Sequence, residues 1–238
     1  MVQKKFYLLL SGLCFCNLNL FAQIRIGVSL GGTHNHLVYD VTDSKLTQQK
    51  KIMGYSIQSH IKYELFDVFS LHTGIGIFQK NYSFNRIGKY SGYYEQYNNT
   101  YLHMPVKIEA KVYEKYKFAV LINTGIFIDY WAWANIEGAI PNIFDTQDVL
   151  GNNGQVIQHL SPAYYSEKYT FNNQKDKRWE YGFESGIELD YLVIKKYCFF
   201  LGFDYLYSIS DQQKKYSINQ SSKKNIAISL SLGYQMYF

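Results

Sequence analysis

Ionisable side chains in this chain keep an even spacing. His60, Lys62 and Glu64 alternate along one segment, and Lys107, Glu109 and Lys111 along a second. Glu180, Glu184 and Glu188 recur along a third, and Asp204 lies on a fourth. A spacing of two or four puts each set on one face of a β-strand. Two chemistries fit such a face. Carboxylates, amines and imidazoles in file could pass a proton or an ion. Alternatively, charges of both signs on neighbouring strands pair and plug an interior, because a buried charge must find a partner. Ser70 and His72 share a face and hold the ingredients of a nucleophile and its base, which must lie within hydrogen-bond reach to react. Metal ligation has less to stand on. His34 and His36 supply two ligands, too few for a site. Asp145, Asp148, Gly151, Asn152, Asn153 and Gly154 have the composition of a calcium loop without its Asp-x-Asp-x-Asp-Gly spacing. A last group is aromatic: Trp131, Trp133, Phe144, Tyr164 and Tyr165 fall in one long connection with Ile140 and Ile143. So apolar a connection folds as a hairpin extension or cap, or offers a surface to a partner.

The elements that position these residues are strands. Eight segments alternate with a period of two: 24–32, 53–65, 69–77, 102–112, 118–130, 179–191, 197–207 and 225–238. In the sixth, Trp179, Tyr181, Phe183, Ile187, Leu189 and Tyr191 oppose Glu180, Gly182, Glu184, Gly186, Glu188 and Asp190. Short connections near Phe66–Asp67, Tyr113–Tyr116 and Lys195–Lys196 alternate with long ones over 34–51, 80–100, 131–178 and 210–224. Strict alternation of that kind means antiparallel neighbours with every long loop at one end. The minor face holds Gly, Ser and charges of both signs. The major face is apolar, with Tyr or Trp near its ends. A soluble sandwich reverses this pattern, burying its apolar faces. An outer-membrane barrel shows it, with lipid outside and small or charged groups inside. The expected fold is an all-β, eight-stranded, antiparallel up-and-down transmembrane β-barrel with long extracellular loops. Eight strands leave an interior just wide enough for side chains to fill. Pro105 cannot donate to a ladder, so a bulge or local break in pairing is expected there. The last strand pairs with the first. Its ending on Tyr234, Met236 and Phe238 resembles the signal by which bacterial outer-membrane proteins reach their insertion machinery.

Bulk composition agrees. Aromatics make up 18% of the 238 residues, with 24 Tyr, 16 Phe and only 3 Pro, which favours strands. The net charge of +5 is spread along the chain without an Arg-rich helix or an aromatic RNA-binding motif, which argues against nucleic acid. Lys4 and Lys5, the apolar run 6–16 and Ala22 read as a signal peptide over residues 1–22, leaving a barrel domain over 23–238. Cys14 and Cys16 leave with it, and Cys198 remains without an intrachain partner. Export without disulfides suits the outer membrane of a Gram-negative cell.

Several motifs also resemble the PorT-like outer-membrane β-barrel family of the Bacteroidetes. FSLHTGIGIFQKNYSF (69–84) is similar to its Phe-Ser-Leu, Gly-rich third strand, and YLHMPVKIEAKV (101–112) to its Tyr-Leu-x-Ile-Pro fourth strand. YGFESGIELDY and the terminal SLGYQMYF match its Gly-x-x-x-Gly and Leu-Gly-Tyr endings. His103 stands where the family often has an acid, and Glu109 where it often has a Lys. The resemblance implies the fold and the location, and for some members a link to secretion or gliding machinery. Taken together, the expectation is a non-enzymatic, monomeric, cofactor-free barrel, closed or narrow. It would bind a partner or ligand through Trp131, Trp133, Phe144, Tyr164 and Tyr165, or serve an envelope or secretion assembly. Its other partners would be outer-membrane lipid and the barrel-insertion machinery. Two alternatives stay open. Some small outer-membrane barrels modify lipid A with a Ser, a His and an acid, and others pass small solutes.

Overall fold

A computed structural model of the chain describes residues 24–39, 46–150, 154–194, 196–215, 217 and 220–238; the expected signal segment lies outside them. Strands account for the alternating segments. They are β1 (Ile24–Val38), β2 (Thr47–Lys51), β3 (Met53–Glu64), β4 (Phe69–Gln79), β5 (Tyr82–Arg86) and β6 (Tyr94–Lys115). The rest are β7 (Phe118–Leu150), β8 (Val156–Lys168), β9 (Trp179–Ile194), β10 (Tyr197–Ser208) and β11 (Lys224–Tyr237).

Eight of these strands close a ring in the order β6-β4-β3-β1-β11-β10-β9-β7, and β7 returns to β6. Every pairing in the ring is antiparallel. The chain is an eight-stranded up-and-down barrel. The seam pairs β1 with β11, from Arg25 opposite Tyr237 to Val38 opposite Lys224, so neither strand is an open edge. Closure removes unpaired backbone groups that hydrocarbon could not satisfy.

The wall is inside out. Along β1, Ile26, Val28 and Leu30 are exposed, while Ser29 and Thr33 are buried. Along β9, Tyr181, Phe183 and Ile187 are exposed while Glu180, Glu184 and Glu188 are buried. Exposed aromatics ring both rims: Tyr63, Phe118, Tyr191 and Tyr197 at the short-turn end, Trp179, Tyr181, Tyr205 and Tyr207 at the other. Between Tyr181 and Tyr191 a tilted strand rises about 25 Å, the height of the apolar band of a transmembrane barrel. Glycines line the inside where large rings need room. A Cβ on Gly182 would meet the Phe127 ring 2.8 Å away, and one on Gly233 would collide with Phe200.

Three connections expected as long loops are largely strand. β1 runs on past His34 to Val38, β5 and the start of β6 occupy the second, and β7 and β8 occupy the third. Beyond the ring, β2, β5, β6, β7 and β8 pair in that order as an outer sheet. A bulge makes the transition. Thr100 pairs with Trp133 but Tyr101 pairs with Trp131, so Ala132 is the extra residue. One extra residue swaps the faces of a strand. Below it Phe127, Asp129 and Trp131 point inward; above it Ala134 and Ile136 are the buried positions. Pro105 interrupts pairing without shifting it: β4 pairs with β6 at Thr73–Val106 and again at Gly76–His103, in one register. The second short turn is Tyr116–Lys117, since β6 runs through Tyr113 to Lys115.

Candidate functional site

Inside the ring, alternation delivers charges from six strands to one axis. At the short-turn end Arg25 lies 3.3 Å from Glu64 and 3.1 Å from Asp190, which also accepts from Gln235 at 3.1 Å. One layer up, Lys62 is bonded to Glu188 and lies 3.0 Å from Glu109. His72 Nδ1 meets the same Glu109 at 2.7 Å, and Ser70 donates to it at 3.2 Å. Higher still, Lys107 Nζ reaches Glu184 at 2.8 Å and Asp204 at 3.1 Å. His103 spans the next step, with Nδ1 2.6 Å from Asp129 and Nε2 3.3 Å from Glu184. At the top Lys80 lies 2.6 Å from Asp129 and is bonded to Glu180, which also accepts from Asn225 at 2.7 Å. The Lys80 ammonium sits 4.7 Å from the Phe127 ring centre and 5.0 Å from that of Tyr101, within cation–π range.

Most of the sequence-expected lumen residues therefore meet. Lys62, Lys107, Glu109, Glu180, Glu184 and Glu188 are buried, and Asp204 is nearly so. Glu64 stands at the rim, a quarter exposed. Lys111 departs from the expectation. It lies 2.8 Å from Glu114 at the short-turn rim, because the ladder irregularity between Lys111 and Tyr113 ends the inward series there. His60 is buried against His72 and Phe200 instead of in an ion pair, with ring centres 5.2 and 5.1 Å away. Six participants were missing from the expected set: Arg25, His72, Lys80, His103, Asp129 and Asp190. Each continues the parity of its strand, and carrying the alternation of the 69–77 segment on through Phe78 would have found Lys80. Ser70 and His72 do not form a nucleophile–base pair, since both are bound to Glu109.

An aromatic lid covers the loop-end mouth. Trp131 is 3% exposed and stacks on Tyr101 and Tyr169 at 6.0 and 5.5 Å, with Phe171 edge-on at 4.9 Å. Arg178 fastens it, donating to the Trp131 and Ala132 carbonyls at 2.9 Å each and lying 4.2 Å from the centre of Phe171. Trp131 is thus part of the closure. Expected to meet a ligand or partner, it is buried among Tyr101, Tyr169 and Phe171. Of the other four aromatic candidates, Trp133 is exposed on the outer wall, Phe144 is 91% exposed where the β7–β8 pairing shifts register between Pro141 and Thr146, and Tyr164 is exposed on β8.

Tyr165 lines a groove on the outer sheet, of about 760 Å³, with Phe84, Arg86, Tyr90, Tyr94 and Glu95 among its walls. Glu95 is held by the hydroxyls of Tyr97 and, at 3.4 Å, Tyr165. Burial and the nearby carboxylate raise both phenols above the ordinary tyrosine range, so both remain donors. Arg86 donates to the Thr47 hydroxyl at 2.8 Å. An aromatic series that begins in the wall braces it: Tyr39 against Phe84 at 6.0 Å, Phe84 against Tyr82 at 5.7 Å, and Tyr82 stacked on Tyr97 at 5.0 Å. At the seam, Tyr234 and Met236 pair with Val28 and Ile26, and the Phe238 amide donates to the Ile24 carbonyl at 2.9 Å. Among the described residues no cluster of His, Cys, Asp and Glu is arranged to hold a metal ion.

No protein-family model matches the sequence, and no curated protein matches it significantly. Among solved structures, the chain is similar to the outer membrane protein OprG from Pseudomonas aeruginosa at 10% identity, with a TM-score of 0.48 and 91% and 95% of the two chains covered. It is also similar to a major outer membrane protein from Thermus thermophilus, at 12% identity, TM-score 0.46 and 91% and 99% coverage. Neisserial surface protein A follows at 10% identity, TM-score 0.43 and 90% and 97% coverage.

Proposed function

We propose that this chain is an integral outer-membrane barrel with a closed lumen, and that it acts through its outer sheet by binding. An export signal over residues 1–22 and kinship with the PorT-like family are part of this reading. The motifs behind that kinship lie chiefly on β4, β6, β9 and β11. The observation that carries it is the contrast between wall and interior. Ile, Leu, Phe and Tyr cover the outside of the ring, and paired charges fill the inside. In water that arrangement would expose the apolar band and bury the ions. In a bilayer it places each group in its preferred solvent. The filled lumen and the aromatic lid argue against solute passage. The joint anchoring of Ser70 and His72 on Glu109 argues against lipid hydrolysis. What remains for contact with other molecules is the outer sheet, which stands above the bilayer.

Fractionation of cells, with heat-modifiable mobility on gels, tests the location. The barrel should appear with outer membranes, and recovery as a soluble periplasmic protein would sink the reading. Planar-bilayer recordings test the closed lumen. No large, steady conductance is expected from the purified protein, and stable open levels would overturn it.

A further inference from the structure

The groove on the outer sheet joins flat aromatic faces to one acid and one base. This proposal rests on the reading that the outer sheet is the binding face. We propose that the groove is a saccharide-binding site that takes a short neutral oligosaccharide. Its chemistry argues by elimination. Glu95 offers acceptor oxygens, since its two tyrosine partners leave lone pairs free. Arg86 brings a guanidinium with five N–H groups to the groove wall. An acyl chain would desolvate the carboxylate and the guanidinium and return no hydrogen bond to them. A strongly cationic or anionic ligand would be attracted by one and repelled by the other. An extended peptide gains affinity from an open sheet edge, whereas Phe84, Glu95 and Ala139 belong to strands paired on both sides, and of these groove residues only Tyr165 lies on an edge strand, β8. A pyranose meets all the terms. Its hydroxyls donate to Glu95 and accept from Arg86, and its C–H face lies on the negative face of an aromatic ring. Tyr94 supplies such a ring, and the aromatic series running through Phe84 braces the wall. The cavity volume lies within the usual range for small-ligand sites and is generous for a single sugar ring.

The test uses the full barrel in dodecyldimethylamine oxide micelles, a detergent without a sugar headgroup. Isothermal titration is run with malto-, cello-, laminari-, chito- and manno-oligosaccharides. Polygalacturonate fragments, an oligolysine peptide and dodecanoate are titrated in parallel. At least one neutral series should bind saturably. Tyr94→Ala and Glu95→Gln should each weaken it tenfold or more, while Phe66→Ala, in the short turn between β3 and β4 at the opposite end of the barrel, leaves it unchanged. Heat-modifiable mobility confirms that each variant is folded. A folded barrel that binds no neutral saccharide overturns the proposal, as does preference for the acidic glycan, the peptide or the fatty acid. Saccharide binding that ignores Tyr94 and Glu95 overturns the assignment to this groove. Location and lumen closure are read from fractionation and conductance, so their failure is separately visible.

Discussion

Lys62 lies fully buried between Glu109 and Glu188. Neither carboxylate can leave the lumen, so the ammonium neutralises charges that have no access to water. Removing one partner of a buried ion cluster is costly because it strands the other. Lys62→Met should therefore lower the unfolding free energy in micelles by about 3–5 kcal/mol, measured by urea titration with a gel-shift readout. Adding Glu109→Gln and Glu188→Gln to that variant should restore most of the loss. If the triple variant is no better than the single one, the charges are not what the site depends on. A glycine gives a second test of lumen packing. Gly182 has no room for a side chain between the Tyr207 carbonyl and the Phe127 ring. Gly182→Val should force the ring or the strand to move and reduce folded yield on refolding, whereas Gly32→Ala, where a Cβ meets open space, should not.

Turns and bulges decide what the strands can do. Tyr116 holds φ at +56° in the tight connection between β6 and β7, a conformation that a residue with a bulky Cβ substituent adopts at a cost. Its side chain is exposed. Tyr116→Asn should therefore raise the unfolding free energy by up to about 1 kcal/mol in the same urea titration, since Asn tolerates that region better. Within the lipid band the strands were legible because a packed interior and lipid demand opposite residues at alternate positions. Pro105 was legible too, as a gap in pairing with β4. Above the band that demand lapses, since both faces of the outer sheet meet protein or water. The continuations of β1, β6 and β7, and all of β2, β5 and β8, therefore left no clean period. The bulge at Ala132 compounds this by exchanging faces within the stretch where Trp131 and Trp133 lie. Two tryptophans of equal promise in the sequence thus end in opposite places, one in the lid and one on the wall. The groove was illegible for a different reason. Phe84 and Glu95 are direct partners on β5 and β6, but Tyr165 joins them only through Gly138 of β7, far off in sequence, so only the finished sheet brings the three together.

Taken whole, the molecule is a cylinder whose exterior must match a bilayer. Leu230 sits on β11 opposite Gly32 and Phe203, midway along the apolar band, with more than half its surface exposed. Leu230→Arg should cost roughly 2–4 kcal/mol on refolding into lipid vesicles, and less when the target is a detergent micelle. A smaller penalty in vesicles than in micelles would mean that this face does not meet lipid. The seam has a further consequence, in time. β6 and β7 adjoin across two residues, so their ladder can zip from the turn at little entropic cost. The seam joins Arg25 to Tyr237, and its lumen bonds, such as Asn35 to Asn225, link positions 190 apart. Closing so long a loop brings no gain until nearly everything between its ends is ordered. Closure is then the last and slowest event. Pulse-labelled hydrogen exchange during refolding should find amides of Ile108 and Ile122 protected before those of Val28 and Leu232. Until that moment β1 and β11 are open edges, and the half-built barrel is most exposed to aggregation just before it becomes most inert.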